Sequence, residues 1–190
     1  MNSKLKNIIC AAIVAAACVA VYKGTLSNGF VYDDLQIVEH NPNISDPRNL
    51  PKLLTKEYFH VSGERTYRPL NTFSYMADSM LWKGSAAGFH RTNLLIHTLN
   101  CVLLYFLFSI MGGAGIGLFG ALIFAVHPLG AEAVSPVSFR EDLMALTAVA
   151  GGLLLYARLA RNGMEGKKAR PALTAAAIGA VFMLGLGSKE

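Results

Sequence analysis

The sequence is short of charged residues. Only 15% of its 190 residues are Asp, Glu, Lys or Arg, whereas soluble domains are about a quarter charged. Hydrophobic residues make up 53% of the chain, and this balance excludes an ordinary soluble domain and indicates a membrane protein. The chain also lacks internal repeats and linkers rich in Gly and Ser, which excludes a repeat array and a flexible tether.

Cysteine is scarce as well. Cys10, Cys18 and Cys101 all lie in apolar segments, so we interpret them as small buried side chains and exclude a disulfide framework. A zinc site is not predicted, because His90 and His97 are seven residues apart and no thiolate or carboxylate completes a ligand set. We therefore predict no metal ligands, although a divalent cation is left open as a cofactor.

The chain contains five apolar segments. A span perpendicular to the bilayer needs about 20 residues, so the three later segments must extend into their flanks. We predict an all-α multi-pass membrane protein with about five transmembrane helices. The first segment follows Lys4 and Lys6, and it also fits a cleaved signal peptide. The segments are residues 8–22, 88–111, 113–126, 143–157 and 172–187.

The charges predict the orientation of these helices. Basic residues precede the first segment and cluster between the fourth and fifth, and short loops rich in Lys and Arg stay in the cytoplasm. The turn at Gly112 and Gly113 is then inside, and residues 23–89, 127–142 and 188–190 are outside. The net charge of +5 is explained by this topology and does not indicate nucleic-acid binding.

The long first outer loop contains signals for two helices. Residues 50–59 form one candidate, and residues 67–82 form an amphipathic one with Trp82 at its end. We predict that the second lies flat on the bilayer, with packing on other loops as the alternative. Its apolar side carries Leu70, Phe73, Met76, Ala77, Met80 and Leu81, and its polar side Asn71, Ser74, Asp78 and Ser79.

An acidic pair follows the first apolar segment, where Asp33 and Asp34 stand next to Tyr32. A carboxylate at mid-bilayer costs about 2.5–3.5 kcal/mol, so the pair must lie at the surface or in a hydrated cavity. Adjacent side chains point in different directions, so we predict that one faces a site as a proton acceptor. The other carboxylate orients the first, caps a turn or binds a cation. The alternative is that the pair has no catalytic role and only forms a turn after a membrane anchor.

The second apolar segment carries a polar face. His90, Asn93, His97 and Asn100 fall within an arc of about 80° on one helix, which predicts that they face the bundle interior or a hydrated cavity. His90 and Asn93 lie near the level of the acidic pair and are site candidates. Interhelical hydrogen bonding is the alternative for His97 and Asn100.

The second outer loop concentrates its charges near its end. His127 stops a span at the surface, and Glu132 lies in the middle of the loop. Arg140 offers a planar set of donors to a phosphate or carboxylate, whereas Glu141 and Asp142 are predicted to cap a helix.

Together these motifs resemble membrane glycosyltransferases of the GT-C fold, and most closely the transmembrane and tetratricopeptide-repeat-containing O-mannosyltransferases and their bacterial relatives. The resemblance covers residues 30–190, as the N-terminal part of such a domain: a first span in 1–23, an outer loop in 24–88 and four further spans in 89–190. It rests on the order and spacing of Phe30-Val31-Tyr32-Asp33-Asp34, Tyr67-Arg68-Pro69-Leu70, the run from Gly88 to His97, Phe124-Ala125-Val126-His127-Pro128, Glu132-Ala133-Val134, Arg140-Glu141-Asp142-Leu143 and Ser188-Lys189-Glu190.

The resemblance implies transfer of a hexose, mannose in this family, from a polyprenyl- or dolichyl-phosphate donor to an acceptor hydroxyl on protein, with inversion. Asp33 or Asp34 is the implied base, and Arg68, Arg140 or Lys189 would meet the lipid phosphate. His127 and Glu132 would shape the acceptor or donor side. The pattern departs at Gly130-Ala131, where the family often has a polar pair, and at Phe139, where it has a small residue.

The expected location is a bacterial inner membrane with the site on the outer face, or the endoplasmic reticulum lumen in a eukaryote. GT-C enzymes are longer, so a fragment is expected, and its activity alone is in question. A non-catalytic subunit that binds the lipid carrier is the alternative function. A transporter is disfavoured, because the polar groups cluster at the outer surface and transport sites lie near the midplane.

Overall fold

The computed structural model describes residues 2–164 and 171–188, and within these ranges every regular element is helical. Shorter helical turns cover Lys23–Ser27, Leu35–Glu39, Pro42–Ser45 and Pro47–Leu54. The α-helices are α1 (Ser3–Tyr22), α2 (Tyr58–Ser62), α3 (Pro69–Trp82), α4 (Ala86–Val126), α5 (Gly130–Val134), α6 (Arg140–Met164) and α7 (Pro171–Leu186).

Helix α4 is a helical hairpin. Its backbone leaves helical geometry at Gly112 and Gly113, and the φ of +80° at Gly113 favours glycine. The two halves then run side by side so closely that a Cβ on Gly117 would lie 2.7 Å from the carbonyl oxygen of Tyr105. The turn predicted between the second and third apolar segments is therefore confirmed.

Three described stretches are long and apolar enough to cross a membrane: Ser3–Ser27, Ala86–Val126 and Arg140–Arg161. The second stretch is the hairpin, and its returning half, residues 114–126, is only about 20 Å long against a hydrocarbon core of about 30 Å. Five separate spans are thus not confirmed. The basic residues Lys167, Lys168 and Arg170, on which the predicted orientation depends in part, lie outside the described residues.

The bundle core lies between α1, both halves of α4, α5 and α6. Val14 of α1 is completely buried there, with Ala121 and Ala125 from the returning half of α4 and Val134 from α5. Helix α1 therefore forms one wall of this core.

A second layer covers one end of the bundle and contains α2, α3 and the helical turns. It has its own core, in which Tyr58, Tyr75 and Phe89 are fully buried. Helix α3 matches the predicted amphipathic helix, but its polar side packs into the protein: Asp78 is buried, whereas Leu81 is exposed. An apolar outer side suits an interfacial helix, and its place on a bilayer stays a prediction.

Candidate active site

The two carboxylates of the acidic pair have different surroundings. Asp34 is fully buried, and its carboxylate accepts hydrogen bonds from the backbone N–H groups of Val31 (3.2 Å), Val137 (3.1 Å) and Ser138 (2.6 Å). The first bond reaches back to the start of the helical turn, as an acid does in a capping box. Asp34 therefore fastens the first outer segment to the second.

Asp33 is exposed and lines a cavity of about 290 Å³. Just before the pair, Tyr32 has a φ of +51°, a conformation that is uncommon for a non-glycine residue. The cavity lies between this turn, the loop that precedes α3, and the start of α6. Its lining residues are Asp33, Gln36, Ile37, Gly63, Glu64, Arg65, Thr66, Arg68, Ser138, Phe139 and Glu141.

Glu64 is a buried carboxyl group in the wall of the cavity. Burial raises its pKa to about 7, the charge of Glu141 adds to the rise, and Arg68 opposes it. One carboxyl oxygen accepts a 3.4 Å hydrogen bond from the Tyr58 hydroxyl, and the other is buried with no hydrogen-bond partner in the part of the chain that the structure describes. A carboxyl group with a pKa near neutral can exchange protons at physiological pH.

Arg68 supplies a positive charge to the same cavity. Its guanidinium nitrogen Nη1 lies 3.0 Å from Glu141 Oε1, and its side chain is about one-fifth exposed, at 22%. Glu141 also accepts a 3.3 Å hydrogen bond from the Asn71 amide. Glu141 lies in the first turn of α6, as its predicted capping role requires, but it contributes to the cavity wall as well.

Arg140 does not reach this cavity. Its side chain is fully buried and pairs with Asp78 at 2.6 Å. It also donates to Asn93 (2.7 Å), Ser74 (3.0 Å) and the Phe89 carbonyl (3.1 Å). The predicted phosphate contact is therefore not supported by the geometry: this guanidinium is used inside the protein, where it joins α6 to α3 and α4.

The predicted polar face of α4 is buried, and His90, Asn93 and Asn100 bond to neighbouring segments. The ring nitrogen Nε2 of His90 lies 3.3 Å from the Gly29 carbonyl oxygen, next to the acidic segment. The Asn93 amide donates to the Pro136 carbonyl at 3.0 Å. Asn100 bonds to the Leu143 carbonyl and accepts from a hydroxyl of α6. His90 and Asn93 thus position the loops around the cavity and do not line it.

The remaining predicted site residues lie away from the cavity. His127 and Glu132 are exposed, and neither is among the residues that line it. The His127 carbonyl accepts a 3.2 Å hydrogen bond from the Tyr22 hydroxyl at the end of α1. Lys189 lies outside the described residues, but Gly187, two residues before it, accepts a backbone hydrogen bond from Leu70 at 3.0 Å.

His97 has thiol neighbours that its spacing in the sequence does not reveal. The thiols of Cys18 and Cys101 and one ring nitrogen of His97 lie within 4.8 Å of one another. Packing of α1 on α4 brings Cys18 to this histidine, a proximity that the spacing of residues along the chain does not reveal. The three cysteines are buried, as predicted.

An apolar groove of about 690 Å³ lies beside the cavity. Tyr67 and Pro69, the chain neighbours of Arg68, belong to its wall, so it begins where the polar cavity ends. The other lining residues are Leu50, Leu54, Leu70, Phe73, Met183 and Gly187. A charged cavity next to an apolar groove suits an amphiphile with a charged head.

Glu64 is not predicted from the sequence as a site residue, and Glu141 is predicted only as a cap. Glu64 stands in a short charged stretch between two helices, which is typical of a solvated loop. Only the contacts of α2 and α3 show that it is buried. The signal in the sequence that could have identified Glu64 is its position just before the Tyr67-Arg68-Pro69-Leu70 motif.

Comparison with known proteins supports the predicted resemblance. The chain is 25% identical over 163 residues to Protein O-mannosyl-transferase F38B6.6 of Caenorhabditis elegans, covering 81% of the chain and 23% of that protein. It is 28% identical over 165 residues to Protein O-mannosyl-transferase TMTC1 of Mus musculus, covering 83% and 18%. The resemblance is to protein O-mannosyl-transferases. TMTC3 of Homo sapiens gives 27% identity over 162 residues.

The chain spans about a fifth of the length of these curated relatives. No family model and no solved structure matches it. The three relatives described come from animals, so the predicted bacterial inner membrane gains no support from them.

Proposed function

We propose that the chain is the N-terminal part of a membrane glycosyltransferase that transfers a hexose, mannose, from a polyprenyl- or dolichyl-phosphate donor to a hydroxyl of an acceptor protein. The observation that carries this proposal is the cavity in which Asp33, Glu64 and Arg68 come together beside an apolar groove. The similarity to protein O-mannosyl-transferases supports the same reaction class.

Arg68 and the groove are the proposed donor site. The apolar chain of the lipid would lie against groove residues such as Phe73 and Leu54, and its phosphate would meet Arg68 at the end of the groove. Phosphate oxygens would then compete with Glu141 for the guanidinium. Arg65, which is exposed in the same cavity, is a second positive charge within the site.

Asp33 is the proposed general base. Its carboxylate would take the proton of the acceptor hydroxyl while the hydroxyl oxygen forms a bond to the anomeric carbon. The bond from that carbon to the phosphate oxygen breaks, and the lipid phosphate leaves with the electron pair, which inverts the anomeric centre. Asp34 acts through position, because its three backbone hydrogen bonds hold the turn that presents Asp33.

Phe139 faces the same space, at a place where the family pattern has a small residue. Its ring reduces the space next to Asp33, so we infer that the part of the acceptor that enters this cavity is narrow.

A second candidate function is that of a subunit that binds the lipid carrier without turnover. Arg68 beside the apolar groove would serve that function without any use of Asp33 as a base.

Donor binding and turnover distinguish the two functions. We expect purified full-length protein in lipid to bind a polyprenyl-phosphate sugar and to release polyprenyl phosphate when an acceptor is present. Arg68→Gln should weaken donor binding by about tenfold or more, since a hydrogen bond to a charged group is worth about 1.5–3 kcal/mol. Arg48→Gln is the matched control, because that arginine is exposed and pairs only locally with Asp46.

Specific binding that is lost in Arg68→Gln but never accompanied by released polyprenyl phosphate would identify a carrier-binding subunit. Equal donor affinity in Arg68→Gln and the wild type would contradict the assignment of the phosphate site.

A further inference from the structure

A cluster of two thiols and one imidazole lies inside the helical bundle, apart from the proposed active site. Cys18 comes from α1, whereas His97 and Cys101 lie one turn apart on α4. All three side chains are buried: Cys18 and Cys101 are 0% exposed and His97 is 1% exposed. Their candidate ligand atoms lie within 4.8 Å of one another.

The imidazole of His97 lacks ordinary hydrogen-bond partners. Among the described residues, its Nδ1 atom is buried without any partner, and its Nε2 atom has only the Cys101 sulfur, at 3.7 Å. A buried polar group without a partner costs free energy, and native proteins seldom leave one in that state. Coordination of a cation through Nε2 would give that nitrogen a strong partner in place of a weak contact with sulfur and would fix the ring proton on Nδ1.

We propose that Cys18, His97 and Cys101 form a zinc site that fastens α1 to α4. Sulfur and imidazole nitrogen are the ligands that Zn²⁺ prefers, at about 2.3 Å and 2.0–2.1 Å. Tetrahedral geometry with these bond lengths separates neighbouring ligand atoms by about 3.5–3.8 Å. The distance of 3.7 Å between Cys101 Sγ and His97 Nε2 falls in this range.

The charges of such a site suit its apolar surroundings. Two thiolates and one neutral imidazole around Zn²⁺ carry no net charge, so the complex avoids the penalty of burying a lone ion. The hydroxyl of Thr98 lies 3.3 Å from Cys18 Sγ and donates to the Leu94 carbonyl at 2.7 Å, so it would donate to a thiolate only by giving up that bond. Three protein ligands leave a fourth position for water or another small ligand.

Metal content and cobalt spectroscopy test this site without any measure of sugar transfer, so it stands independently of the proposed function. We expect the full chain, purified in detergent with zinc, to retain about one equivalent of metal. Its Co²⁺ form should show sulfur-to-cobalt charge-transfer absorption. Cys18→Ser and Cys101→Ser should each weaken metal affinity at least about 100-fold and lose that absorption.

Cys10→Ser is the matched control, because Cys10 is also a buried thiol of α1 but does not belong to the cluster. It should bind metal as the wild type does. Circular dichroism of every variant separates loss of a ligand from loss of the fold. Equal metal content in Cys18→Ser and the wild type, absence of cobalt–sulfur absorption, or a Cys18–Cys101 disulfide in alkylated protein would overturn the proposal.

Discussion

At the scale of single residues, the acidic pair divides into two functions. Adjacent carboxylates cannot point the same way, and this alone predicts one residue in a site and one in support. The structure shows the environment of each residue: the Asp34 carboxylate accepts hydrogen bonds from three backbone N–H groups, and Asp33 lines the cavity. The sequence could not distinguish them, because the partners of Asp34 at Val137 and Ser138 are about a hundred residues away.

The raised pKa of Glu64 predicts that the free energy of unfolding depends on pH. Its pKa is near 7 in the folded protein and about 4.3 in an unfolded chain, so the folded state binds the proton more tightly. Its stabilising contribution is full below about pH 4 and is lost as pH rises through 7, an effect of at most roughly 4 kcal/mol. Melting temperatures of wild type and Glu64→Gln between pH 4 and 8 would measure it.

In Glu64→Gln this fall should disappear, because glutamine stays neutral at every pH. Glu57→Gln is a suitable control, since Glu57 is exposed near the same layer. A fall with rising pH that persists unchanged in Glu64→Gln would show that another group causes it.

At the scale of elements, Arg140 joins three helices. It begins α6, pairs with Asp78 of α3, and bonds to Asn93 and Phe89 of α4. A cation–π contact strengthens this junction, because the Arg140 guanidinium lies 4.9 Å from the centre of the Tyr75 ring. The outer layer is therefore fixed to the bundle at one buried ionic centre, next to the loop that carries Ser138.

Asp78→Asn should be strongly destabilising. It leaves the buried Arg140 charge uncompensated, and removal of one partner of a buried pair costs about 3–5 kcal/mol. Thermal unfolding in detergent would measure the loss. Asp46→Asn, the same change in an exposed pair with Arg48, should have little effect, because Asn also caps a helical turn. Equal melting temperatures for Asp78→Asn and the wild type would contradict a structural centre at Arg140.

Helix positions were the part of the fold that could be predicted from the sequence. Long apolar runs predict helices, and Gly112-Gly113 predicts the reversal, since both are local signals. Pairing between elements is not local. The burial of Asp78 beside Arg140, the burial of Glu64 and the approach of Cys18 to His97 depend on how helices pack, and no spacing within one segment reveals that.

At the scale of the whole molecule, the described residues form a bundle of apolar helices with a polar layer at one end. The bundle contains α1, α4 and α6, the three stretches suited to cross a membrane, and the layer holds the cavity and the apolar groove. This division places charged side chains and an apolar groove next to each other, which is the arrangement that the proposed transfer from a lipid-linked sugar would use.

The most direct test compares Asp33→Asn with Asp34→Asn in the full-length protein, with sugar transfer and melting temperature measured for each. We predict that Asp33→Asn lowers the transfer rate by about 10²–10⁴-fold without a change in melting temperature, because it removes only the base. Asp34→Asn should lower the melting temperature, since the single oxygen of an amide cannot accept all three N–H groups, two of which make buried hydrogen bonds. Full transfer activity in Asp33→Asn would contradict the account.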